Sequence, residues 1–143
     1  MRSNAPRSLY AVNEPSGDRG SISVYDIDAG HRLIKTIQTV PGVGDVKGVA
    51  VSAVTGKLFV AYRDVSGTGM VYCLDVYSDS VLWNRAIPPG VDRLAIHPNG
   101  KLLIVTLLHG SAGRTPGARV AWRTILPSES GSSRWLVRIT AGP

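Results

Sequence analysis

The sequence has little of what a disulfide-linked, metal-binding or membrane-spanning protein needs. Its 143 residues include one cysteine, Cys73, so an internal disulfide is excluded. No stretch approaches the roughly 18 apolar residues of a membrane-spanning helix, and the three histidines show no zinc-ligand spacing. What is present is a hydrophobic content of 43%, which is enough for one ordinary domain with a core.

The N-terminus lacks a secretory signal. Residues 1–8 are polar and carry two arginines, and no apolar segment follows them. We therefore expect a cytoplasmic protein, or a periplasmic or secreted one if the chain has lost its true start. We expect no membrane partner.

The net charge of +6 is concentrated in the last quarter of the chain. Residues 1–108 hold 11 Lys/Arg against 9 Asp/Glu, whereas residues 109–143 hold five arginines against one glutamate. No basic stripe alternates with aromatic residues before residue 108, as a stacking surface for bases would require. We therefore expect no nucleic-acid partner.

The first three quarters of the chain contain an internal repeat. The run SLYAV, which starts at residue 8, returns as KLFVA and KLLIV, so its reference leucines Leu9, Leu58 and Leu102 lie 49 and 44 positions apart. A second run keeps step with the first, because Asp26 and Asp75 each lie 17 residues after their leucine. Two anchors in register indicate copies of one structural unit.

Each copy contains four short runs rich in β-branched and aromatic residues, separated by turn residues. Glycine precedes the lysine of two copies, where a tight hairpin needs a positive φ. No window longer than about ten residues keeps a helical period. Four antiparallel strands in a unit of about 45 residues predict an all-β fold, a partial β-propeller of about two and a half four-stranded blades.

The predicted blades lie near residues 8–37, 46–87 and 93–107, and the first lacks its innermost strand. The predicted strands span residues 8–13, 21–27, 32–37, 46–52, 57–62, 69–75, 81–87, 93–97 and 101–107.

Three runs carry a family resemblance: SLYAVN from residue 8, GSISVYDID from residue 20 and LAIHPNGKLLIV from residue 94. They resemble the repeats of bacterial seven-bladed propellers of the Tyr-Val-Thr-Asn (YVTN) repeat type and the lactonase-like and quinoprotein-like propellers close to it. The resemblance covers about 100 of the 143 residues and implies the blade. It implies no particular chemistry, since related propellers include lactonases, dehydrogenases, haem-binding proteins and proteins that only bind.

The repeat stops near residue 108. A third copy predicts an aspartate at position 119, where Arg119 stands. We therefore divide the chain into a partial propeller, residues 1–108, and a tail, residues 109–143. Three alternatives stand for the tail: a divergent segment that caps or pairs with the blades, a disordered segment, or a stretch read out of frame in a truncated propeller.

Two and a half blades leave sheet faces and a strand edge without a neighbour. A closed ring has ~4–8 blades, so at least two such chains would be needed to complete one. The expected partners are accordingly other propeller blades or additional copies of the chain.

Ligands of propellers usually meet the face built from the loops that join the second strand to the third and the fourth strand to the next blade. The predicted ligand-binding residues on this loop face are Asp45, Asp92, Arg63, Asp64 and Glu14. Asp45 and Asp92 are predicted at equivalent places beside the channel, each close to a basic residue. Carboxylates there would hold a divalent cation and so polarise a carbonyl; the alternative is that each pairs with its basic neighbour or caps a turn.

Other polar residues favour structural roles. Asp26 and Asp75 recur in register, which is typical of a hairpin cap, and Cys73 in its apolar run is predicted to be a buried, inert thiol. The sequence thus favours a non-catalytic propeller module or fragment that binds a small ligand or a protein partner on its loop face, with no cofactor identified. The alternative is a fragment of a propeller enzyme, a lactonase-like hydrolase or a quinoprotein-like oxidoreductase, so catalysis stays open.

Overall fold

Ten β-strands lie within the residues that a computed structural model of the chain describes. They are β1 (Ser8–Asn13), β2 (Ser21–Asp26), β3 (Arg32–Gln38), β4 (Val43–Ser52), β5 (Lys57–Asp64), β6 (Gly69–Asp75), β7 (Val81–Ile87), β8 (Val91–Ile96), β9 (Leu102–Leu107) and β10 (Arg119–Thr124). The structure describes residues 7–13, 20–38, 43–64, 68–87, 91–98, 100, 102–107 and 119–124, and of residues 43–45, 64, 92, 107 and 119–124 it describes the backbone alone. In this part of the chain no helix is long and apolar enough to cross a membrane.

The strands form three antiparallel sheets that correspond to three blades. Blade 1 has the order β1-β2-β3, blade 2 the order β4-β5-β6-β7, and blade 3 the order β8-β9-β10. Within the described residues, only blade 2 has all four strands, and blade 1 begins at the second strand of the repeat. The predicted all-β partial propeller is confirmed.

Blade 2 buries both of its faces because side chains alternate along its strands. In β5, Leu58, Val60 and Tyr62 belong to the core cluster shared with blade 1, whereas Phe59 and Ala61 belong to the cluster shared with blade 3. The first cluster consists of Ile22, Val24, Ile37, Val46, Leu58, Val60, Tyr62 and Leu74. The second consists of Ala50, Phe59, Ala61, Val71, Cys73, Val91, Leu103 and Val105. The core of the molecule is therefore two slabs between stacked blades.

The two repeated aspartates cap the turns that follow their strands. Asp26 Oδ1 accepts hydrogen bonds from the backbone N–H groups two and three residues later, at 2.9 and 3.1 Å. Asp75 Oδ1 does the same at 3.0 and 2.9 Å, and these bonds lower the pKa of Asp75. The predicted structural role of both residues is confirmed.

The third copy of the repeat is displaced by one residue from the predicted alignment. Leu58 pairs with Val51 near the end of β4. In blade 3, Leu103 pairs in the same way with Ile96 at the end of β8. Leu103 is also fully buried against the preceding blade, as Leu58 is. The reference leucine of this copy is therefore Leu103, because Leu102 and its neighbour are both apolar and the sequence pattern does not distinguish them.

Strand β10 lies inside the region assigned to the tail. It pairs with β9 along its length, and Thr124 faces Leu102. The corresponding pair in blade 2 is Asp75 with Lys57. The backbone position equivalent to the repeated aspartate is therefore 124, and not 119, because the connection from β9 to β10 is longer than that of the other blades.

Candidate functional site at the loop face

The loop face is the end of the sheets at which β4 and β8 begin. Strand β4 starts at Val43, which pairs with Asp64 at the end of β5. Strand β8 starts at Val91, which pairs with Leu107 at the end of β9. The fold thus brings the starts of two innermost strands and the ends of their neighbours to one end of the molecule, as the sequence predicts.

Four of the five predicted ligand residues belong to these strand ends. Arg63 is half-buried and faces Gly69 across β5 and β6. The backbones of Asp45, Asp64 and Asp92 lie at the loop-face ends of β4, β5 and β8. Glu14 lies outside the described residues. Their role in ligand binding stays a prediction.

Both innermost strands carry a β-bulge at the loop face. Lys47 is the extra residue in β4, because its two neighbours face consecutive residues of β5. Asp92 is the extra residue in β8, because its neighbours face consecutive residues of β9. The residue before each bulge, Val46 and Val91, is fully buried, so the two bulges occupy the same place in their blades.

This register corrects the predicted equivalence of Asp45 and Asp92. Asp92 corresponds to Lys47, and Asp45 lies two residues before Lys47, within a second irregularity of β4 between Val43 and Val46. The prediction was wrong because an alternating pattern does not reveal where a strand holds an extra residue. Neighbouring blades therefore place a cationic and an anionic residue type at the same position of the loop face.

Two ion pairs involve the turns at the opposite end of the sheets. Arg7 Nη2 lies 2.6 Å from Asp28 Oδ1, and this hydrogen-bonded guanidinium lowers the pKa of Asp28. Lys35 Nζ of blade 1 lies 2.7 Å from Asp79 Oδ1 in the β6–β7 turn of blade 2. In the described ranges no group of three or more His, Cys, Asp or Glu residues could hold a metal ion.

Two pairs of aromatic residues pack between the blades. Tyr62 and Tyr72 meet edge to face with ring centroids 5.2 Å apart, and burial raises the pKa of Tyr62 to about 12. Phe59 and Trp83 have centroids 6.0 Å apart on the other face of blade 2. Tyr72 and Trp83 therefore pack at the two blade interfaces.

The outer face of blade 1 differs in chemistry from the equivalent face of blade 2. Asn13 Nδ2 donates hydrogen bonds to Ser21 Oγ at 3.0 Å and to Ser23 Oγ at 2.8 Å. The residues 49 positions later are Tyr62, Met70 and Tyr72. This part of the outer face is polar and satisfies its own hydrogen bonds. The same change is visible when the first two copies of the repeat are compared residue by residue.

Comparison with known proteins shows the fold and nothing finer. No protein-family model matches the sequence, and no curated protein matches it. Among solved structures, the chain is similar to the Dos1 propeller, with a TM-score of 0.56, 13% identity, and coverage of 85% of this chain and 39% of that one. It is also similar to Saccharomyces cerevisiae Sqt1, with a TM-score of 0.56, 10% identity, and coverage of 90% and 33%.

A third similar structure is the Cps50 (Swd1) β-propeller domain of Myceliophteria thermophila, with a TM-score of 0.55, 12% identity, and coverage of 96% of this chain and 41% of that one. Kuenenia stuttgartiensis hydrazine synthase matches with a TM-score of 0.55, 18% identity, and coverage of 78% and 37%. The chain thus spans about two fifths or less of these structures. They support the partial propeller; the resemblance to the Tyr-Val-Thr-Asn repeat type and a bacterial origin stay predictions.

Proposed function

We propose that this chain is a non-catalytic propeller module that binds a protein partner or a small ligand on its loop face. The observation that carries the proposal is the pair of bulges at Lys47 and Asp92, at the same place in neighbouring innermost strands. Bulges are concentrated beside binding sites because they re-aim side chains out of the regular ladder.

The distribution of charged groups supports a binding role for this end of the molecule. At the opposite end, Asp26 and Asp75 cap turns, and Asp28 and Asp79 form ion pairs. The carboxylates of Asp26, Asp75 and Asp28 bond within their own blades, and that of Asp79 links blade 2 to blade 1 through Lys35. At the loop face, residue types of both signs stand at strand ends, which suits recognition of a polar surface.

We further propose that other blades, from a longer chain or from additional copies of this one, associate with the outer faces of blades 1 and 3. The Dos1, Sqt1 and Cps50 propellers are each more than twice as long as the region that this chain covers. A propeller buries each blade between two neighbours, as blade 2 is buried here.

A displayed library of random 12-residue peptides tests the loop face as a binding surface. We expect enriched peptides whose binding weakens about tenfold in Lys47→Ala and in Arg63→Ala, because truncated anchor residues dominate such losses. The matched control is Lys57→Ala, a cation at the opposite end of β5, which should bind as the unaltered chain does. Enriched peptides that ignore both loop-face variants would contradict the proposal.

The alternative function is a fragment of a lactonase-like hydrolase or a quinoprotein-like oxidoreductase. It is favoured by one observation, namely that the backbones of Asp45, Asp64 and Asp92 all lie at strand ends of the loop face. The two functions are distinguished by the thermal unfolding midpoint, measured with and without calcium. The calcium concentration is about 1 mM, which matches the dissociation constants of extracellular calcium-binding modules. Stabilisation that is lost in Asp45→Ala and Asp92→Ala would support the enzyme, whereas the binding module predicts no calcium response.

A further inference from the structure

The outer face of blade 1 is the face of its sheet that points away from blade 2. In β1, Tyr10 and Val12 pack against the core cluster shared with blade 2. Successive side chains of a strand point to opposite faces, so Leu9, Ala11 and Asn13 lie on the outer face. Strand pairing then assigns the residues of β2 and β3 to the same face, because directly paired residues point the same way.

This face is apolar at one end and polar at the other. Leu9 pairs with Tyr25, and Tyr25 pairs with Leu33, at the end of the sheet opposite the loop face. Leu9 and Leu33 are 45% and 51% exposed. Asn13 pairs with Ser21 at the loop-face end, where its Nδ2 donates a hydrogen bond to Ser21 Oγ. The large apolar side chains of this face therefore lie in the half away from the loop face.

The outer face of blade 3 points away from blade 2 at the other end of the stack. In β9, Leu103 and Val105 are buried in the core cluster shared with blade 2. The alternating residues Leu102, Ile104 and Thr106 therefore lie on the outer face, where all three are half-buried.

The outer face of blade 3 is divided in the same order as that of blade 1. Nearest the loop face, Thr106 pairs with Arg93, and Thr106 Oγ1 accepts a hydrogen bond of 2.9 Å from the Arg93 backbone N–H. Farther from the loop face, Ile104 pairs with Ala95 on one side. On its other side, the backbone of Trp122 is opposite Ile104. Polar and apolar parts thus lie at matching heights on the two outer faces.

The apolar part of the outer face of blade 3 keeps the residue types of a blade–blade interface. Ala95 and Ile104 form the pair that corresponds to Ala50 and Phe59 in blade 2. Ala50 and Phe59 are buried in the cluster shared with blade 3. In blade 3, Ala95 is exposed instead. This face therefore has the chemistry of a stacking face at a position that no described blade covers.

The loop-face parts of the two outer faces have changed together. Val12 of blade 1 and Tyr62 of blade 2 contribute to one apolar cluster, from the two sides of the same junction. The residue equivalent to Val12 on the outer face of blade 3 is Thr106, and the residue equivalent to Tyr62 on the outer face of blade 1 is Asn13. A polar residue replaces an apolar one on both sides, as expected if these two outer faces meet each other.

We propose that the blades which associate with this chain, on which the inference rests, are those of a second copy. Blade 3 of each copy stacks on blade 1 of the other, with Ile104 toward Leu9 and Tyr25, and Thr106 toward Asn13. Such a head-to-tail contact repeats the junctions inside the chain and closes into a ring. Two copies of a three-blade chain give six blades, within the ~4–8 blades of closed propellers.

The polar half of each junction limits the strength of this association. We expect a dissociation constant on the order of micromolar, at the weak end of the range for interfaces of ordinary size. The ring should therefore dissociate on dilution. Unfolding experiments on the dilute chain then report the single copy, in which Leu9 is uncovered.

Sedimentation equilibrium over a micromolar concentration series tests the ring. The average mass should rise from that of one chain, 15.2 kDa, to that of two. Leu9→Arg and Ile104→Arg should each weaken association at least about tenfold, as the loss of a central interface anchor does. Ala95→Arg, at an exposed position beside Ile104, repeats the test on blade 3 should Ile104→Arg unfold. The matched control is Leu82→Arg on blade 2, whose leucine is 49% exposed and lies on neither outer face, so it should associate normally.

Mixing two variants that are each monomeric tests the head-to-tail arrangement. The Leu9→Arg copy keeps an intact blade 3, and the Ile104→Arg copy keeps an intact blade 1. One junction of the pair is therefore unaltered, so the mixture should form a complex of one copy of each. If instead two blade 1 faces paired with each other, Ile104→Arg alone would still dimerise and mixing would restore nothing, which would overturn the proposal.

A chain that stays monomeric throughout the concentration series would also overturn it. Binding of the dye anilinonaphthalene sulfonate then tests the wider proposal that blades associate here. Dye fluorescence that falls in Leu9→Arg would show that the outer face of blade 1 is open to blades of another protein, whereas no dye binding would contradict blade association as well. Peptide binding at the loop face is read separately, because Lys47 and Arg63 belong to blade 2.

Discussion

Cys73 reports on the interface between blades 2 and 3. Its side chain is fully buried beside Phe59 and Val105 in the second core cluster, and burial raises the pKa of its thiol to about 11. Only the thiolate reacts quickly with disulfide reagents. The native chain should therefore protect this residue unless blade 3 detaches.

Reaction with an aromatic disulfide at pH 8 measures this protection. We expect the native rate to be lower than the rate in denaturant by a factor on the order of a hundred or more, since an ordinary thiol ionises near pH 8.5. Val105→Ala should raise the native rate, because it loosens the blade 3 side of the interface. A native thiol that reacts as quickly as the unfolded one would show that blade 3 does not cover it.

Gly20 is required by close packing between blades 1 and 2. A Cβ atom at this position would lie 2.6 Å from Val46 Cγ2 and 2.8 Å from the carbonyl oxygen of Asn13. Gly20→Ala should therefore destabilise the chain by roughly 1–3 kcal/mol, as overpacking does in other cores.

A double-mutant cycle in urea unfolding checks the cause. Val46→Ala removes one of the two clashing groups, so Gly20→Ala should cost less in that background than in the unaltered chain. Gly30→Ala is the control, because its added Cβ would meet nothing within 4 Å and only its left-handed φ of 66° is unfavourable. If the losses of unfolding free energy from Gly20→Ala and Val46→Ala were additive, the predicted contact between the two residues would be excluded.

At the scale of elements, the turn after β6 depends on an ionised carboxylate. Hydrogen bonds from the backbone of Ser78 and then Tyr77 lower the pKa of Asp75. A lowered folded-state pKa contributes stability above the unfolded value, near pH 3.9, and that stability is lost as the pH falls through this range.

Acid unfolding of Asp75→Asn tests this dependence. The amide keeps an acceptor oxygen for the turn but has no proton to gain, so the variant should lose less stability than the unaltered chain between pH 5 and pH 3, the range set by ordinary aspartate titration. Thermal midpoints across this range provide the measurement. Identical pH profiles for the two proteins would show that Asp75 does not contribute through its charge.

Most strands could be predicted from the sequence, and their register could not. Runs such as residues 57–62 and 69–75 combine β-branched residues with Gly and Asp at their ends, so their limits follow from side-chain and turn chemistry. The bulges at Lys47 and Asp92 each insert one extra residue into a strand, and the kinds of residue in the strand do not reveal the insertion. The sequence of strand β10 does not match the repeat, so its pairing with β9 is visible only in the structure.

The site is less predictable than the fold for the same reason. The loop face could be located, because strand order determines which ends of the sheets meet. The predicted equivalence of Asp45 and Asp92 was wrong, because it depended on the strand register at the level of single residues.

At the scale of the whole molecule, each blade has one face toward the preceding blade and one toward the following blade. Leu9 and Leu58 are equivalent residues on the preceding face of blades 1 and 2. Leu58 is fully buried against blade 1, whereas Leu9 is 45% exposed. The same position of the repeat therefore lies on a covered face in blade 2 and on an uncovered face in blade 1.

The unfolding free energies of Leu58→Ala and Leu9→Ala, measured side by side in urea, test this stacking most directly. We expect Leu58→Ala to cost about 2–5 kcal/mol, the range for truncation of a buried leucine, and Leu9→Ala to cost less than about 1 kcal/mol, as at an exposed position. Equal losses would contradict the stacked-blade structure, because they would mean either that Leu58 is not held between blades or that Leu9 is.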